Sequence, residues 1–358
     1  MLTPPAPGEV AAPTLGIAVP APLRREGPQK LTGEALYTDD LVFPGAWYGA
    51  TIRSEEAHAR FLGLEQDPDF DWSKVVVMTA ADIPGDNVVS VIIDDMPALV
   101  EDEIQHHSQA VALLAAPDKA TLREAKQRIR PITEPLTPVF DPLESDRQYA
   151  AYEISKGDPA AAFEAATLIV QGEYRVGHQE QLYIENQALT AEPRPDGGIT
   201  ITCSMQCPDY VHSAIKRGLA LSDEQAVITQ AETGGGFGGK EEYPSVIAVH
   251  AALLAQRVGK PVRMIYDRHE DIASTTKRHP AIVRYRSGVS ADGRLIAQDI
   301  EVVMDGGAFC TLSPVVLSRG VLHAGGPYEC PNVHITGRSM ATNTPPNGAF
   351  RGFGAPQV

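Results

Sequence analysis

Apolar positions along the chain gather into short runs that glycine, proline and acidic residues interrupt, the pattern of a mixed α/β protein. The runs at 74–79 (KVVVMT), 88–93 (VVSVII) and 110–115 (AVALLA) predict strands. Asp118, directly after Pro117, is placed to cap a helix predicted over 118–130. A proline-rich stretch at 130–144 follows and marks the expected domain boundary. Beyond it the pattern predicts a helical stretch at 159–166, an alternating run at 166–174, and a hairpin. That hairpin turns at Asp196-Gly197-Gly198 and returns along 199–204. Residues 226–230 predict a strand, and a glycine-rich loop comes next. A helix is then expected over 242–258, with Pro244 in its first turn and Gly259-Lys260-Pro261 as its stop. A strand at 262–267 and further strand-like runs, punctuated at Asp292-Gly293, Gly306-Gly307 and Gly325-Gly326-Pro327, complete the chain. Residues 1–26, rich in proline and alanine and without a hydrophobic period, read as a flexible segment. The expected organisation is α+β: a small α/β domain at 27–145, then a mixed α/β domain at 146–358.

Composition narrows the function classes. Acidic residues outnumber basic ones 46 to 30, a formal charge of −16, so no basic surplus exists to neutralise nucleic-acid phosphates or an anionic membrane. Hydrophobic residues at 43% suffice for real cores, and no apolar run reaches the roughly 18 residues of a membrane span. The N-terminus lacks the basic start and continuous apolar stretch of a signal peptide, which points to the cytoplasm. Cys203, Cys207, Cys310 and Cys330 match neither a disulfide framework nor a zinc spacing and read as reduced thiols. The histidines form no H-E-x-x-H pattern; His106 and His107 read as structural or surface groups, and His212 stands near Gln206 in sequence.

The sharpest local feature is the loop 234–241, GGGFGGKE, between a predicted strand and a predicted helix. Its glycines let backbone N–H groups approach an anion, and the following helix adds partial positive charge. Three readings compete on local grounds. Gly234, Gly239 and Lys240 fit a P-loop, but Glu241 stands where a Mg²⁺-binding Ser or Thr is needed. Gly234, Gly236 and Gly239 also fit a dinucleotide fingerprint, with Asp267 as a distant candidate for the ribose, which would make the chain a nucleotide-dependent dehydrogenase. The third is a turn required by close packing alone.

Several longer motifs extend the picture. Alongside GGGFGGKE stand DRHEDIASTTKRHP at 267–280, GPYECPN at 326–332 and TNTPPNGAFRGFGAPQ at 342–357, with LTGEALYTDD, SEEAHARF and VVVMTAADIPG in the first domain. In these motifs the chain resembles the molybdenum-cofactor-binding subunit of the xanthine dehydrogenase and aldehyde oxidase family, from about residue 30 onward. The resemblance implies an α/β hammerhead domain followed by the first part of a molybdopterin-binding domain. It also implies a molybdenum carrying oxo, sulfido and hydroxyl or water ligands, held by a pyranopterin dithiolene rather than by the protein.

Carried over residue by residue, the resemblance makes Gln206 the amide that hydrogen-bonds an oxygen ligand of the metal. Gly236, Phe237 and Gly238 become the loop that lies against the cofactor, and Arg351 a second cofactor contact. Glu241, Arg319 and Phe353 match the positions that bind the heterocycle in purine-hydroxylating members. Aldehyde-oxidising relatives typically have apolar residues in place of the first two. The implied reaction is oxidative hydroxylation of a purine, hypoxanthine or xanthine to urate. Electrons would leave through [2Fe–2S] clusters and FAD on partner subunits or domains, since four cysteines cannot hold the clusters. No residue here matches the family's catalytic glutamate, which the resemblance assigns to a C-terminal remainder. The chain alone is therefore expected to be inactive, the alternative being a non-catalytic assembly piece. Gln181 and Leu182 depart from the His and Phe common in relatives.

Overall fold

The computed structural model describes residues 24–358, so most of the segment expected to be flexible lies outside the described residues. Two units are distinguished, one ending at Leu36 and the other running from Tyr37 to Val358. The described part of the first contains a single helix, Gly27–Thr32.

Three sheets build the larger unit, an α+β arrangement as expected. A seven-stranded sheet runs in the spatial order Ala226–Gln230, Ile199–Cys203, Ala188–Pro193, Val262–Ile265, Trp47–Arg53, Ala110–Ala116, Val76–Met78. Strands from both sides of the proline-rich stretch therefore hydrogen-bond into one sheet, joined where Trp47 and Tyr48 pair in parallel with Val262 and Arg263. A three-stranded sheet (Glu103–Ile104, Ala59–Gln66, Ile129–Pro135) belongs to the N-terminal half, and a five-stranded sheet to the C-terminal half. The order of the latter is Gln148–Lys156, Asn332–Ala341, Leu295–Gly307, Ala281–Val289, Leu168–Val176.

The largest core forms where the helix Pro244–Val258 crosses the seven-stranded sheet. Leu189, Ile199, Ile201, Val262 and Met264 from the sheet and Ile247, Ala251 and Leu254 from the helix are all shielded from solvent. Because the helix is apolar on nearly every side, it also takes the helix Pro208–Leu219 against it. His250 in its middle is neutral: burial pushes its imidazole down to about 4, and Nε2 bonds the Ala98 carbonyl at 2.8 Å. The helix stops where expected, at Gly259 in the left-handed region (φ 68°), whose N–H caps the Ala255 carbonyl. A second core lies between the five-stranded sheet and the helix Ser313–His323.

Two local expectations fail. Residues 88–93 form a loop rather than a strand. The Ser90 hydroxyl accepts from the N–H groups of Asp95 and Met96, closing the segment on itself, and Ile92 and Ile93 are exposed. The helix after Asp118 spans Lys119–Gln127, not 118–130. Its cap is as expected, with the carboxylate accepting from Ala120 and Thr121. Its end comes early because Ile129–Pro135 pairs with Ala59–Gln66, on a sheet edge where Pro131 and Pro135 need no ladder N–H. Among the described residues no helix is long and apolar enough to cross a membrane.

Candidate functional site

The glycine-rich loop leaves the edge strand Ala226–Gln230 and turns repeatedly before the helix at Pro244. Phe237 takes a left-handed conformation (φ 54°) that costs a non-glycine residue about 1 kcal/mol or more, so its neighbours must hold it. They do so from two sides. Gln206 Oε1 accepts from Gly238 N at 2.9 Å and from Lys240 N at 3.3 Å, while Gln206 N donates to the Lys240 carbonyl at 2.7 Å. On the other side Arg351 N donates to the Phe237 carbonyl at 2.8 Å. Gly238 (φ 101°) must be glycine, because a Cβ there would lie 2.6 Å from the Ala349 carbonyl oxygen.

This arrangement fixes the direction of the Gln206 amide. Two N–H donors occupy its oxygen, so its NH₂ is the outward end of an exposed side chain. Among the described residues, the N–H groups of Gly235, Gly236 and Phe237 donate no hydrogen bond. Arg351 is exposed and its guanidinium makes no ion pair among the described residues, while its carbonyl accepts from Arg278 Nη2 at 2.8 Å. Consecutive free N–H groups, an amide NH₂ and a free cation form a donor set for an anionic, oxygen-rich group. The molybdenum–pterin group implied by the motifs fits that chemistry.

Beneath the loop lies a buried ion pair. Lys240 Nζ is 2.9 Å from Glu185 Oε2 and 3.0 Å from Ser204 Oγ, with its side chain wholly buried. Glu185 Oε2 also accepts from Gly234 N at 2.7 Å and from the Ser204 hydroxyl at 2.6 Å, and Oε1 accepts from Thr38 N at 3.1 Å. Burial pushes the Glu185 carboxyl up, but the Ser204 hydrogen bond and the Lys240 charge outweigh it and hold the group below its ordinary range.

The same contacts exclude both nucleotide readings. Lys240 points into the protein and cannot meet a phosphate. Asp267 caps the helix Arg268–Ser274 by accepting from Glu270 N at 2.8 Å. Two strands separate Ala226–Gln230 from Val262–Ile265, whereas a dinucleotide fold needs them adjacent.

The structure thus joins Gln206, Gly236, Phe237, Gly238 and Arg351 in one hydrogen-bonded frame. Glu241 sits at the end of the loop, half-buried, its N–H donating to the Gly238 carbonyl at 3.1 Å; its carboxyl is pushed up by burial and makes no hydrogen bond or ion pair among the described residues. Together with burial, Glu241, Glu242 and Asp209 raise the nearby Cys207 thiol to about 11. Arg319 is exposed on the helix Ser313–His323, its guanidinium likewise unpaired among the described residues. It borders the turn of Phe353, since a Cβ on Gly354 would lie 3.1 Å from Arg319 Cβ. Phe353 itself has φ 48° and packs half-buried against the second core. No hydrogen bond or ion pair links Glu241 to Arg319.

Sequence reasoning did not find the Lys240–Glu185 pair, and it marked Gln181 as a departure from relatives without foreseeing its contact, in which the buried Nε2 donates to the Ala349 carbonyl at 2.9 Å. Nothing in local spacing signals contacts across 55 or 168 positions. His212 bonds the Asp223 carbonyl at 3.2 Å, and His106 is buried and pushed down to about 4. All four cysteines are free, and the described residues hold no cluster of three or more metal-ligating side chains.

Comparison with known proteins bears on this frame. The sequence profile described as "Molybdopterin cofactor-binding domain" matches residues 141–358. That described as "Aldehyde oxidase and xanthine dehydrogenase, a/b hammerhead domain" matches residues 32–131. The chain is 34% identical over 343 residues to the nicotinate dehydrogenase large molybdopterin subunit of Eubacterium barkeri, covering 92% of this chain and 80% of that one. Over 351 residues it is 34% identical to a probable xanthine dehydrogenase subunit from Bacillus subtilis (strain 168), covering 95% of this chain and 47% of that one. The solved aldehyde oxidoreductase from Desulfovibrio gigas superposes with a TM-score of 0.85 at 26% identity, covering 93% of this chain and 40% of its own. The chain thus spans less than half of the last two proteins. By both profile matches, these relatives and the fold, the chain belongs to the aldehyde oxidase and xanthine dehydrogenase family, as the molybdenum-cofactor-binding portion with its hammerhead domain.

Proposed function

We propose that the chain forms part of a molybdenum hydroxylase acting on an electron-poor nitrogen heterocycle, with the purines hypoxanthine and xanthine as leading substrates and urate as product. The observation that carries the reading is the donor frame: three free backbone N–H groups, the outward Gln206 amide and the unpaired Arg351. When bound there, a molybdenum–pyranopterin group with a sulfido ligand supplies two-electron oxidation coupled to oxygen transfer. Gln206 offers a neutral N–H donor that can steady an oxygen ligand without competing for the metal. Gly236, Phe237 and Gly238 give close backbone approach, and Arg351 balances negative charge.

For the substrate, Arg319 would bond a ring oxygen and stabilise negative charge that develops on the heterocycle. Phe353 would orient the flat ring. Glu241, its carboxyl raised by burial, holds a proton over a wider pH range than an exposed glutamate and so can donate as well as accept. Glu185 is not the general base, because its oxygens are engaged by Lys240, Ser204, Gly234 and Thr38. That base is proposed to lie in polypeptide beyond this chain, and the [2Fe–2S] clusters and FAD on partner subunits or domains, all in the cytoplasm.

A pyridine carboxylate is a second substrate reading. It is supported by the nicotinate dehydrogenase relative and by the unpaired Arg319, which could take a carboxylate bidentately. The test is co-expression of the chain with the rest of a molybdenum subunit and its redox partners. Dye reduction would then be compared with xanthine, nicotinate and benzaldehyde, for the native sequence and Arg319→Met. Xanthine turnover that falls at least about a hundredfold in the variant supports the purine reading, as expected for loss of a transition-state charge contact. A preference for nicotinate favours the second reading, and benzaldehyde turnover indifferent to Arg319 rejects both.

A further inference from the structure

One buried acid near the loop has no part in the site so far described. Glu242 is 5% exposed, and its Oε1 accepts from Ala349 N at 3.2 Å. The fit is close: a Cβ on Gly348 would lie 1.6 Å from the same oxygen, so only glycine lets the segment descend onto it. Its other oxygen, Oε2, is buried and forms no hydrogen bond of ordinary geometry, and the Thr276 hydroxyl lies beside the same carboxyl. Glu242 and Thr276 both line a small cavity of ≈ 10 Å³, with Ser90, Tyr243 and Thr311 beside valine and methionine side chains. That space is of the order a single water needs, about 10–15 Å³.

We propose that Glu242 is a positioning residue that fastens residues 348–351 to the base of the glycine-rich loop and so sets the spacing between the two walls of the cofactor frame. This rests on the reading of Arg351 and the glycine loop as those walls. The contact adds a buried side-chain anchor to the backbone bond that already joins the two segments. Arg351 N on Phe237 and Gln181 on the Ala349 carbonyl complete the fastening, and Gly348 N donates to the Lys277 carbonyl at 2.9 Å. An amide N–H held by a buried acceptor is costly to strand, so loss of the carboxyl should free the segment.

The protonation state of the fastening follows from its surroundings. Burial pushes the Glu242 carboxyl up to about 7. The titratable groups that face it are Glu241, Cys207 and Tyr210, none of them cationic, while the Thr276 hydroxyl and the Ala349 N–H pull the carboxyl the other way without outweighing burial. On the adjoining 276–278 segment, Lys277 is engaged by Glu180 and Arg278 by Gln179 and the Arg351 carbonyl. Asp95, from the loop at 89–96, is engaged by Cys310 N. A raised carboxyl contributes stability that is complete below its ordinary value of 4.5 and is lost as pH rises through about 7.

The test is backbone hydrogen exchange on the full chain with whatever subunits co-purify, comparing Glu242→Ala and Glu242→Gln at several pH values. The amide variant keeps an acceptor for Ala349 N and cannot ionise. Expected is roughly tenfold faster exchange across 347–353 in Glu242→Ala, one hydrogen bond's worth, with protection kept in Glu242→Gln and no longer pH-dependent between about 5 and 8. Molybdenum and pterin content per chain should fall in the first variant and not in the second. Unchanged exchange in Glu242→Ala overturns the fastening, as does equal loosening in both variants. Loosening without loss of cofactor overturns the positioning role. The cofactor reading itself fails on a different result: no molybdenum in the native assembly under any condition.

Discussion

The Lys240 ammonium lies 2.9 Å from the Glu185 carboxylate, under a loop whose lysine would face outward if it bound nucleotide. The pair links the start of the loop (Gly234), the end of the strand before Gln206 (Ser204) and the N-terminal segment at Thr38. Removing one partner leaves a buried charge without compensation. Lys240→Met should therefore destabilise the chain by about 3–5 kcal/mol in urea unfolding. Combining it with Glu185→Leu should recover part of that loss, because two apolar groups then share the site; additive losses in the double variant would contradict the coupling.

Gln206 makes a different prediction, since it serves the loop with its oxygen and leaves its NH₂ outward. Gln206→Leu strands two loop N–H groups and should cost about 1–3 kcal/mol. Gln206→Glu keeps an acceptor for both, so its stability should stay near native, but it replaces the outward donor with a carboxylate oxygen. Molybdenum retention should then fall in both variants while stability falls in only one. Retention equal to native in Gln206→Glu would remove the outward amide from the proposed site.

Much of this was readable in the sequence, and the reasons for the rest are physical. Local signals worked where local chemistry decides: Asp118 caps its helix, Gly259 ends the long buried one, and Asp196-Gly197-Gly198 turns a hairpin. The 88–93 run misled because a β-branched apolar stretch is equally suited to a loop lying over a core, and the Ser90 hydroxyl decided it. GGGFGGKE announced a loop for close approach, but its three readings could not be separated locally. What separates them is the inward turn of Lys240, a contact with a residue 55 positions away. The frame's second wall, 349–351, was found through motif resemblance alone, since no periodicity places Arg351 against Phe237.

Glu241 should be visible in pH dependence. Its carboxyl is raised by burial, so its contribution to stability is complete below its ordinary value of 4.5 and is lost as pH rises through the folded-state value. Glu241→Gln should accordingly raise the melting temperature at about pH 8 and lose that advantage once the carboxyl is protonated in both states. In the assembled enzyme it should also remove the fall in kcat/KM that accompanies ionisation of this carboxyl as pH rises. A variant with the native melting profile throughout would mean that the group is solvated in the folded state.

The five-stranded sheet carries a titratable contact far in sequence from the loop. His334 faces Asp299 across the ladder at 3.0 Å through Nδ1 and reaches Glu153 at 3.2 Å through Nε2. Both ring nitrogens can donate only in the imidazolium, and the Asp299 hydrogen bond, aided by Glu153, raises the group above its ordinary 6.5. For a raised histidine the stabilisation is complete below the unfolded value and is lost as pH rises through the folded one. The strands Gln148–Lys156 and Asn332–Ala341 should therefore exchange backbone hydrogens more readily at about pH 8 than at about pH 6, after correction for intrinsic rates. His334→Gln should abolish the difference. Because the site is largely exposed, salt should shrink it too, and a difference that persists unchanged in high salt would trace to another group.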